Sequence, residues 1–117
     1  MKRLIAALSA IAIAVAAGQS ANAVPQVGVS GLTPNARAIV DYVSGAYPGI
    51  TSIGGVRPDP LPDHPSGRAV DMMIGGNMSL GDAIYADLMS QKSRFNITYC
   101  LWRVANHFDH VHCSVAW

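Results

Sequence analysis

The stretch "RAVDMMI", residues 68–74, places one aspartate, Asp71, within a short apolar run that ends at a pair of glycines. Such a run, bounded by turn-forming residues, predicts a β-strand. Side chains alternate between the two faces of a strand, so Asp71 projects from the face opposite Val70 and Met72. If the apolar side chains pack in the core, this carboxylate lies on the open face of the sheet.

A second stretch, "HVHCSV" at residues 110–115, alternates in the same way and predicts another strand. His110 and His112 share one face of it, and Val111, Cys113 and Val115 share the other. When the apolar faces of both strands pack against helices, Asp71, His110 and His112 face one cleft. The proline-rich loop that precedes the first strand carries His64 and can bring it over the same cleft.

The remaining periodicities complete an α+β pattern. Apolar residues recur at helical spacing over 34 to about 46 and over 80 to about 91, while "ITSIGGV" and "NITYCLWR" predict strands. Thr33 predicts the N-cap of the first helix. Ser79 with Asp82 three residues later resembles a capping box at the start of the second. The expected fold is a small α+β domain with an antiparallel sheet and helices packed on one face.

The first 23 residues are typical of an export signal. Two basic residues precede an apolar run, and Ala21-Asn22-Ala23 has the small-x-small pattern of a signal-peptidase site. A membrane anchor is the competing interpretation, but the apolar run is shorter than the ~20 residues that span a bilayer. We therefore expect a signal peptide at 1–23, a loose lead-in at 24–32 and one domain at 33–117. The expected product is secreted or held in the cell envelope, with no stable membrane span after cleavage.

The charge balance excludes two classes of partner. Eight lysines and arginines face seven acidic residues, a formal net charge of +1. This balance provides neither a basic field for nucleic acid nor a polybasic patch for a membrane surface. All the acidic residues are aspartates, so the chain has no glutamate to serve as a general base. Cys100 and Cys113 predict a disulfide in an exported chain, and two buried free thiols are the alternative.

The histidines and Asp71 carry more weight together than separately. A lone exposed histidine is usually a solvated surface group, and a single aspartate on a strand is usually paired with a cation or exposed. Here, however, all four histidines of the chain fall within two short segments. Neutral imidazoles with one carboxylate are a ligand set suited to zinc, and a catalytic zinc site keeps three protein ligands.

Two motifs carry a resemblance to a known superfamily. "HPSGRAVD", residues 64–71, matches HxxGxAxD, and "HVH", residues 110–112, matches the H-x-H of the lysostaphin, D-Ala-D-Ala metallopeptidase and hedgehog superfamily. "GGVRPDPLPDHPSGRAVD" with "NHFDHVHCSV" is similar above all to secreted actinobacterial peptidase-like domains of that superfamily. The resemblance covers about residues 50–117 and implies the small hedgehog/D-Ala-D-Ala peptidase-like fold.

The resemblance also implies roles for individual residues. One zinc ion per chain would be held by His64, Asp71 and His112. His110 would lie beside the metal as a base or a transition-state stabiliser. Arg57, in "GGVR", matches an arginine that neutralises the carbonyl oxygen in the dipeptidase branch.

The general base is the point where the chain departs from that branch. The dipeptidases carry a glutamate a few residues before their last ligand, and this chain has none. His107 stands three positions before His110, a spacing similar to that of the histidine-based peptidoglycan amidases, and is a further catalytic candidate. Asp109 is next to His110 and is expected to point to the opposite face, which makes it a poorer candidate.

The function implied by the resemblance is that of a secreted zinc peptidase hydrolysing an amide bond in peptidoglycan stem peptides or cross-links. The alternative is a non-catalytic zinc-binding module that recognises cell-wall peptides or a protein partner, since hedgehog domains bind zinc without established hydrolysis. A secreted interaction domain without metal is a third possibility. The sequence leaves the scissile bond, the stereochemistry of the substrate and the oligomeric state open.

The export signal generates the first prediction. Because Ala21-Asn22-Ala23 ends an apolar run, we expect cleavage after Ala23. The intact mass of protein recovered from the culture medium should correspond to a chain that begins at Val24. Membrane-bound protein that retains Met1 would contradict this.

Overall fold

The computed structural model describes residues 23–117, and all but the last residue of the predicted signal peptide lies outside the described residues. No helix within the described part of the chain is long and apolar enough to cross a membrane. The predicted α+β fold is confirmed. In order, the elements are β1 Gln26–Val27, α1 Pro34–Ala46, β2 Ser52–Gly54, β3 Ala69–Met73, α2 Met78–Ser90, α3 Lys92–Phe95, β4 Ile97–Leu101 and β5 His110–Val115.

The strands form a five-stranded sheet in the order β1-β2-β3-β5-β4. Strand β3 pairs antiparallel with β2 and β5, and β4 pairs antiparallel with β5. Strand β1 is parallel to β2, so the sheet is mostly rather than wholly antiparallel. The lead-in expected at 24–32 contains β1, which the sequence does not reveal because a two-residue strand is too short to show an alternating pattern.

Helix α1 begins and packs as its sequence predicts. The hydroxyl of Thr33 accepts a hydrogen bond from the backbone N–H of Ala36 at 3.4 Å, which caps the first turn. Ile39, Val40 and Val43 recur on one face and are fully buried. The helix therefore derives its stability from this apolar face as well as from its cap.

Helix α2 begins two residues earlier than predicted, and the proposed capping box is wrong. Asn77 is the N-cap, since its side-chain oxygen accepts a hydrogen bond from the backbone N–H of Leu80 at 3.1 Å. Asp82 instead accepts hydrogen bonds from Trp102 Nε1 at 2.8 Å and from Arg103. It therefore joins α2 to the segment that follows β4 instead of capping the helix. The short helix α3 was not predicted.

The core lies between the helices and one face of the sheet. All three helices contact this face, α1 at β3 and β5, α2 at β4 and β5, and α3 at β4. Cys100 of β4 and Cys113 of β5 are cross-strand partners, and the predicted disulfide joins them. The side chains that β3 and β5 contribute to this face are fully buried: Val70, Met72, Val111, Cys113 and Val115.

Gly81 of α2 tests the packing between helix and sheet. A Cβ at this position would lie 2.2 Å from ring carbons of Trp102. Gly81→Ala should lower the free energy of unfolding by about 1–3 kcal/mol through overpacking, although alanine is the better helix former by about 1 kcal/mol. Urea denaturation measures the change.

Gly45 of α1 is the matched control, because nothing lies within 4 Å of a Cβ built there. Gly45→Ala should leave the stability unchanged or raise it by up to about 1 kcal/mol. Equal stability of the two alanine variants would show that Trp102 is not held against α2.

Candidate metal centre and its cleft

The predicted metal ligands lie together on the sheet face that the helices leave uncovered. Asp71 of β3 pairs directly with His112 of β5 in the antiparallel register. His64 comes from the turn at 62–67, which crosses over this face. The three residues are buried, with exposed fractions of 2% for His64, 7% for Asp71 and 6% for His112.

Gly67 explains how the turn reaches this position. Its φ of +77° lies in the left-handed region, and a Cβ would stand 2.4 Å from the carbonyl oxygen of Gly31. The Gly67 N–H donates to the His64 carbonyl at 3.1 Å, and the Gly67 carbonyl accepts from the Thr33 N–H at 2.9 Å. The turn is thus tied to the start of α1. Only glycine satisfies this backbone conformation together with the close approach.

The imidazole of His64 has a defined orientation and an unpartnered nitrogen. Nδ1 lies 2.8 Å from the carbonyl oxygen of Gly55. Because a carbonyl oxygen only accepts, Nδ1 carries the proton, and Nε2 of the neutral ring carries a lone pair. Nε2 is buried without a hydrogen-bond partner, although Asp71 Oδ2 is 3.2 Å away. Two acceptors therefore face each other, an arrangement that a cation between them would stabilise.

His112 approaches the other oxygen of the same carboxylate. Its Nδ1 lies 3.0 Å from Asp71 Oδ1, and ligand atoms of His64, Asp71 and His112 all lie within 4.8 Å of one another. Ligand atoms around a tetrahedral ion with bonds of about 2.0–2.2 Å are separated by roughly 3.3–3.6 Å. The three side chains could therefore hold a metal ion with small adjustments.

The electrostatics of Asp71 agree with this geometry. Burial alone would raise the pKa of its carboxyl group, but the close ring nitrogens of His112 and His64, which interact most favourably with its ionised form, hold the pKa far below its ordinary range. The carboxylate consequently stays ionised within a buried site. An anionic oxygen next to two imidazoles provides both charge and neutral donors to a metal ion.

His110 lies at the edge of this group, with its Nε2 towards Asp71 and its Nδ1 towards Asp109. Its Nε2 is 3.6 Å from Asp71 Oδ1, and its Nδ1 is 2.7 Å from Asp109 Oδ1. The prediction that Asp109 points to the opposite face is wrong, because β5 begins at His110 and strand alternation does not extend to residue 109. Hydrogen bonding to His110 lowers the pKa of Asp109.

His107 and Arg57 also border the site. The ring of His107 is centred 4.9 Å from that of His110, and its Nδ1 lies 2.9 Å from the carbonyl oxygen of Ala105. Arg57 extends to Asp71 Oδ2 at 3.3 Å and to Asp59 Oδ1 at 3.0 Å. All three predicted catalytic residues therefore lie together: His107 is beside His110, and Arg57 is beside the Asp71 carboxylate.

The site opens into a cleft of about 260 Å³. Several of its lining residues were not predicted from the sequence, and these come from the proline-rich loop, from β4 and from the segment after β4. Ser114 was also missed, although the alternation of β5 places it on the same face as His112. The missed lining residues are Asp59, Leu61, Asp63, Tyr99, Leu101 and Asn106.

Comparison with known proteins identifies one family. The sequence model of the family described as VldE, C-terminal domain matches residues 28–108, which is more than half of the chain. The match includes His64 and Asp71 and ends shortly before His110. No curated protein and no solved structure matches the chain. On the extent of the family match, the chain belongs to the family described as VldE, C-terminal domain.

Proposed function

We propose that the protein is a secreted, zinc-dependent peptidase that hydrolyses an amide bond in peptidoglycan stem peptides or cross-links. The observation that carries the proposal is the buried Nε2 of His64, which lacks a hydrogen-bond partner and faces the Asp71 carboxylate. The resemblance to the lysostaphin, D-Ala-D-Ala metallopeptidase and hedgehog superfamily supports the same conclusion. The predicted export signal at 1–23 suits a substrate outside the cell.

The donor set favours zinc over the hard cations. Calcium and magnesium select oxygen ligands, whereas two imidazoles and one carboxylate, here His64, His112 and Asp71, are a common zinc combination. A zinc ion at such a site polarises a carbonyl group and lowers the pKa of water to about 7. Proton transfer and substrate positioning would be carried out by side chains of the protein itself.

His110 is the group best placed to move a proton. Its Nδ1–H donates to Asp109, so Nε2 of the neutral ring carries the lone pair and faces the site. This nitrogen can accept a proton from the attacking water and deliver it to the leaving amine. Asp109 orients the ring and stabilises its protonated form, which supplies the function of the absent glutamate.

Arg57 and the cleft wall would position the substrate. The guanidinium beside Asp71 can stabilise negative charge on the carbonyl oxygen. Asp59 holds it there, and the backbone N–H of Leu61 with the Arg57 charge keeps the pKa of Asp59 low. Apolar Leu61 and Leu101 line the cleft beside the amide of Asn106. This mixture suits a peptide with small apolar side chains and exposed amide groups.

A second candidate function is a zinc-binding module without hydrolytic activity. The absence of any glutamate favours it, because no residue of the type used by the dipeptidase branch can serve as base. Under this interpretation His64, Asp71 and His112 keep the metal, and His110 contributes to ligand binding. The two candidates differ in what the loss of His110 does.

Metal content tests the site itself. Protein purified without chelators should contain one zinc per chain by elemental analysis. Asp71→Ala should abolish zinc uptake, because it removes the anionic ligand between the two imidazoles. Asp59→Ala is the matched control, since it removes another carboxylate of the cleft and should retain zinc. Parent protein that takes up no added zinc would contradict the proposal.

Replacing His110 and replacing His112 should affect zinc binding and hydrolysis differently. His112→Ala should lose zinc and hydrolysis together. His110→Ala should retain most of its zinc but lose hydrolysis of purified peptidoglycan peptides by about 10²–10⁴-fold, as is typical of a general acid–base group. His107→Ala should show a smaller loss, or a similar one if it is the base. Mass spectrometry identifies released peptides, and circular dichroism confirms folding.

Two outcomes would change the assignment. Undiminished hydrolysis by His110→Ala would show that His110 is not the acid–base group. A parent protein that binds zinc but releases no peptide would establish the non-catalytic module instead.

A further inference from the structure

We propose that Ser114 and Asp63 are positioning residues that determine which ring nitrogen of His112 binds the metal. The inference rests on the zinc-binding part of the proposed function and does not depend on hydrolysis. Asp63 directly precedes HxxGxAxD and Ser114 follows H-x-H, so neither residue is a defined position of those two motifs. Both act through His112 rather than by contact with the ion.

The direction of the hydrogen bonds in the series His112–Ser114–Asp63 follows from its last member, the Asp63 carboxylate, which is an acceptor. Ser114 Oγ lies 2.6 Å from Asp63 Oδ2, and His112 Nε2 lies 2.8 Å from Ser114 Oγ. An ionised carboxylate can only accept, so the single hydroxyl proton of Ser114 is donated to Asp63. The hydroxyl oxygen therefore accepts from the N–H at Nε2. The lone pair of the neutral ring is consequently at Nδ1, the nitrogen that faces Asp71.

If the hydrogen bond between Ser114 and His112 ran in the opposite direction, His112 could not bind a metal ion. If Ser114 donated its proton to Nε2, the ring proton would lie on Nδ1, 3.0 Å from the Asp71 carboxylate. His112 would then donate a hydrogen bond to Asp71 and have no lone pair for an ion. The negative charge of Asp63 thus selects the metal-binding tautomer, in the manner of outer partners that orient ligating histidines.

The surroundings keep this chain of hydrogen bonds intact. Ser114 is only 2% exposed, so water cannot readily replace its hydroxyl. The Tyr99 hydroxyl also donates to Asp63, and an Arg68 nitrogen lies 3.7 Å from its other oxygen. The backbone N–H of Arg68 also donates to the backbone carbonyl of Asp63 at 2.9 Å. Asp63 adjoins His64 in the same turn, so one loop both supplies a ligand and orients another.

Zinc affinity measured by chelator competition tests the inference. Ser114→Ala should raise the zinc dissociation constant about 10–100-fold, the usual effect of losing an outer partner of a ligand. Ser114→Thr retains the hydroxyl and should recover most of the affinity. Thr98→Val is the matched control, because the hydroxyl of the exposed residue Thr98 donates to the backbone carbonyl of Ser114 and not to its side chain, and this variant should bind zinc as the parent does. Thermal unfolding of the metal-free proteins checks that each variant is folded.

Nitrogen-15 NMR of the zinc-loaded parent provides a direct measurement. We expect the ring proton of His112 on Nε2 and that of His64 on Nδ1. A His112 proton on Nδ1, or equal zinc affinity of Ser114→Ala and the parent, would overturn this inference and leave the proposed function standing. A parent that binds no zinc would overturn both. A parent that binds zinc without hydrolysis would contradict only the peptidase proposal.

Discussion

The pairing of β3 with β5 is the constraint on which the site depends. Asp71 lies directly opposite His112 in this register, while the neighbouring Val70 and Val111 point into the core. A slip of one residue would bury the charged group among the helices and expose the valines, at a prohibitive energetic cost. The hydrophobic core therefore sets the positions of Asp71 and His112, two of the candidate metal ligands. The buried Cys100–Cys113 disulfide adds a covalent link on the core face of β5.

Strand periodicity made much of this site predictable. Alternation alone placed Asp71, His110 and His112 on one face, because side chains on a strand alternate strictly. What it could not predict depends on contacts distant in sequence, such as the Tyr99 hydroxyl on Asp63. Asp109 was misjudged because the strand begins only at the next residue. The N-cap at Asn77 was missed because Ser79 and Asp82 offered an equally plausible local pattern, and tertiary contacts to Trp102 decided between them.

If the protein is the proposed peptidase, the absence of glutamate means that another residue must act as the general base, and a histidine can do so. A histidine with a carboxylate on one ring nitrogen can accept a proton on the other, and the carboxylate stabilises the charge that results. His110 and Asp109 have this arrangement at the edge of the metal group. The ring of His107 lies beside that of His110 at a tilt of 49° and extends the same edge. In the proposed peptidase, His110 and Asp109, two and three residues before the candidate ligand His112, would therefore supply proton transfer.

Two aspartates of the fold show why one is a site and the other is structural. Asp87 of α2 accepts hydrogen bonds from the hydroxyls of Tyr42 and Tyr47 and from the amide of Gln91, each at 2.6 Å. Donors surround it, and burial together with the hydrogen bond to Asp87 raises the pKa of Tyr47 to about 12. Asp71 faces imidazole nitrogens instead, one of which is unpartnered. In the metal-free protein those nitrogens need extra protons to become donors, whereas a metal ion satisfies all of them at once. The candidate metal centre is therefore distinguished by several acceptors that converge on one point, and not by the burial of a charge alone.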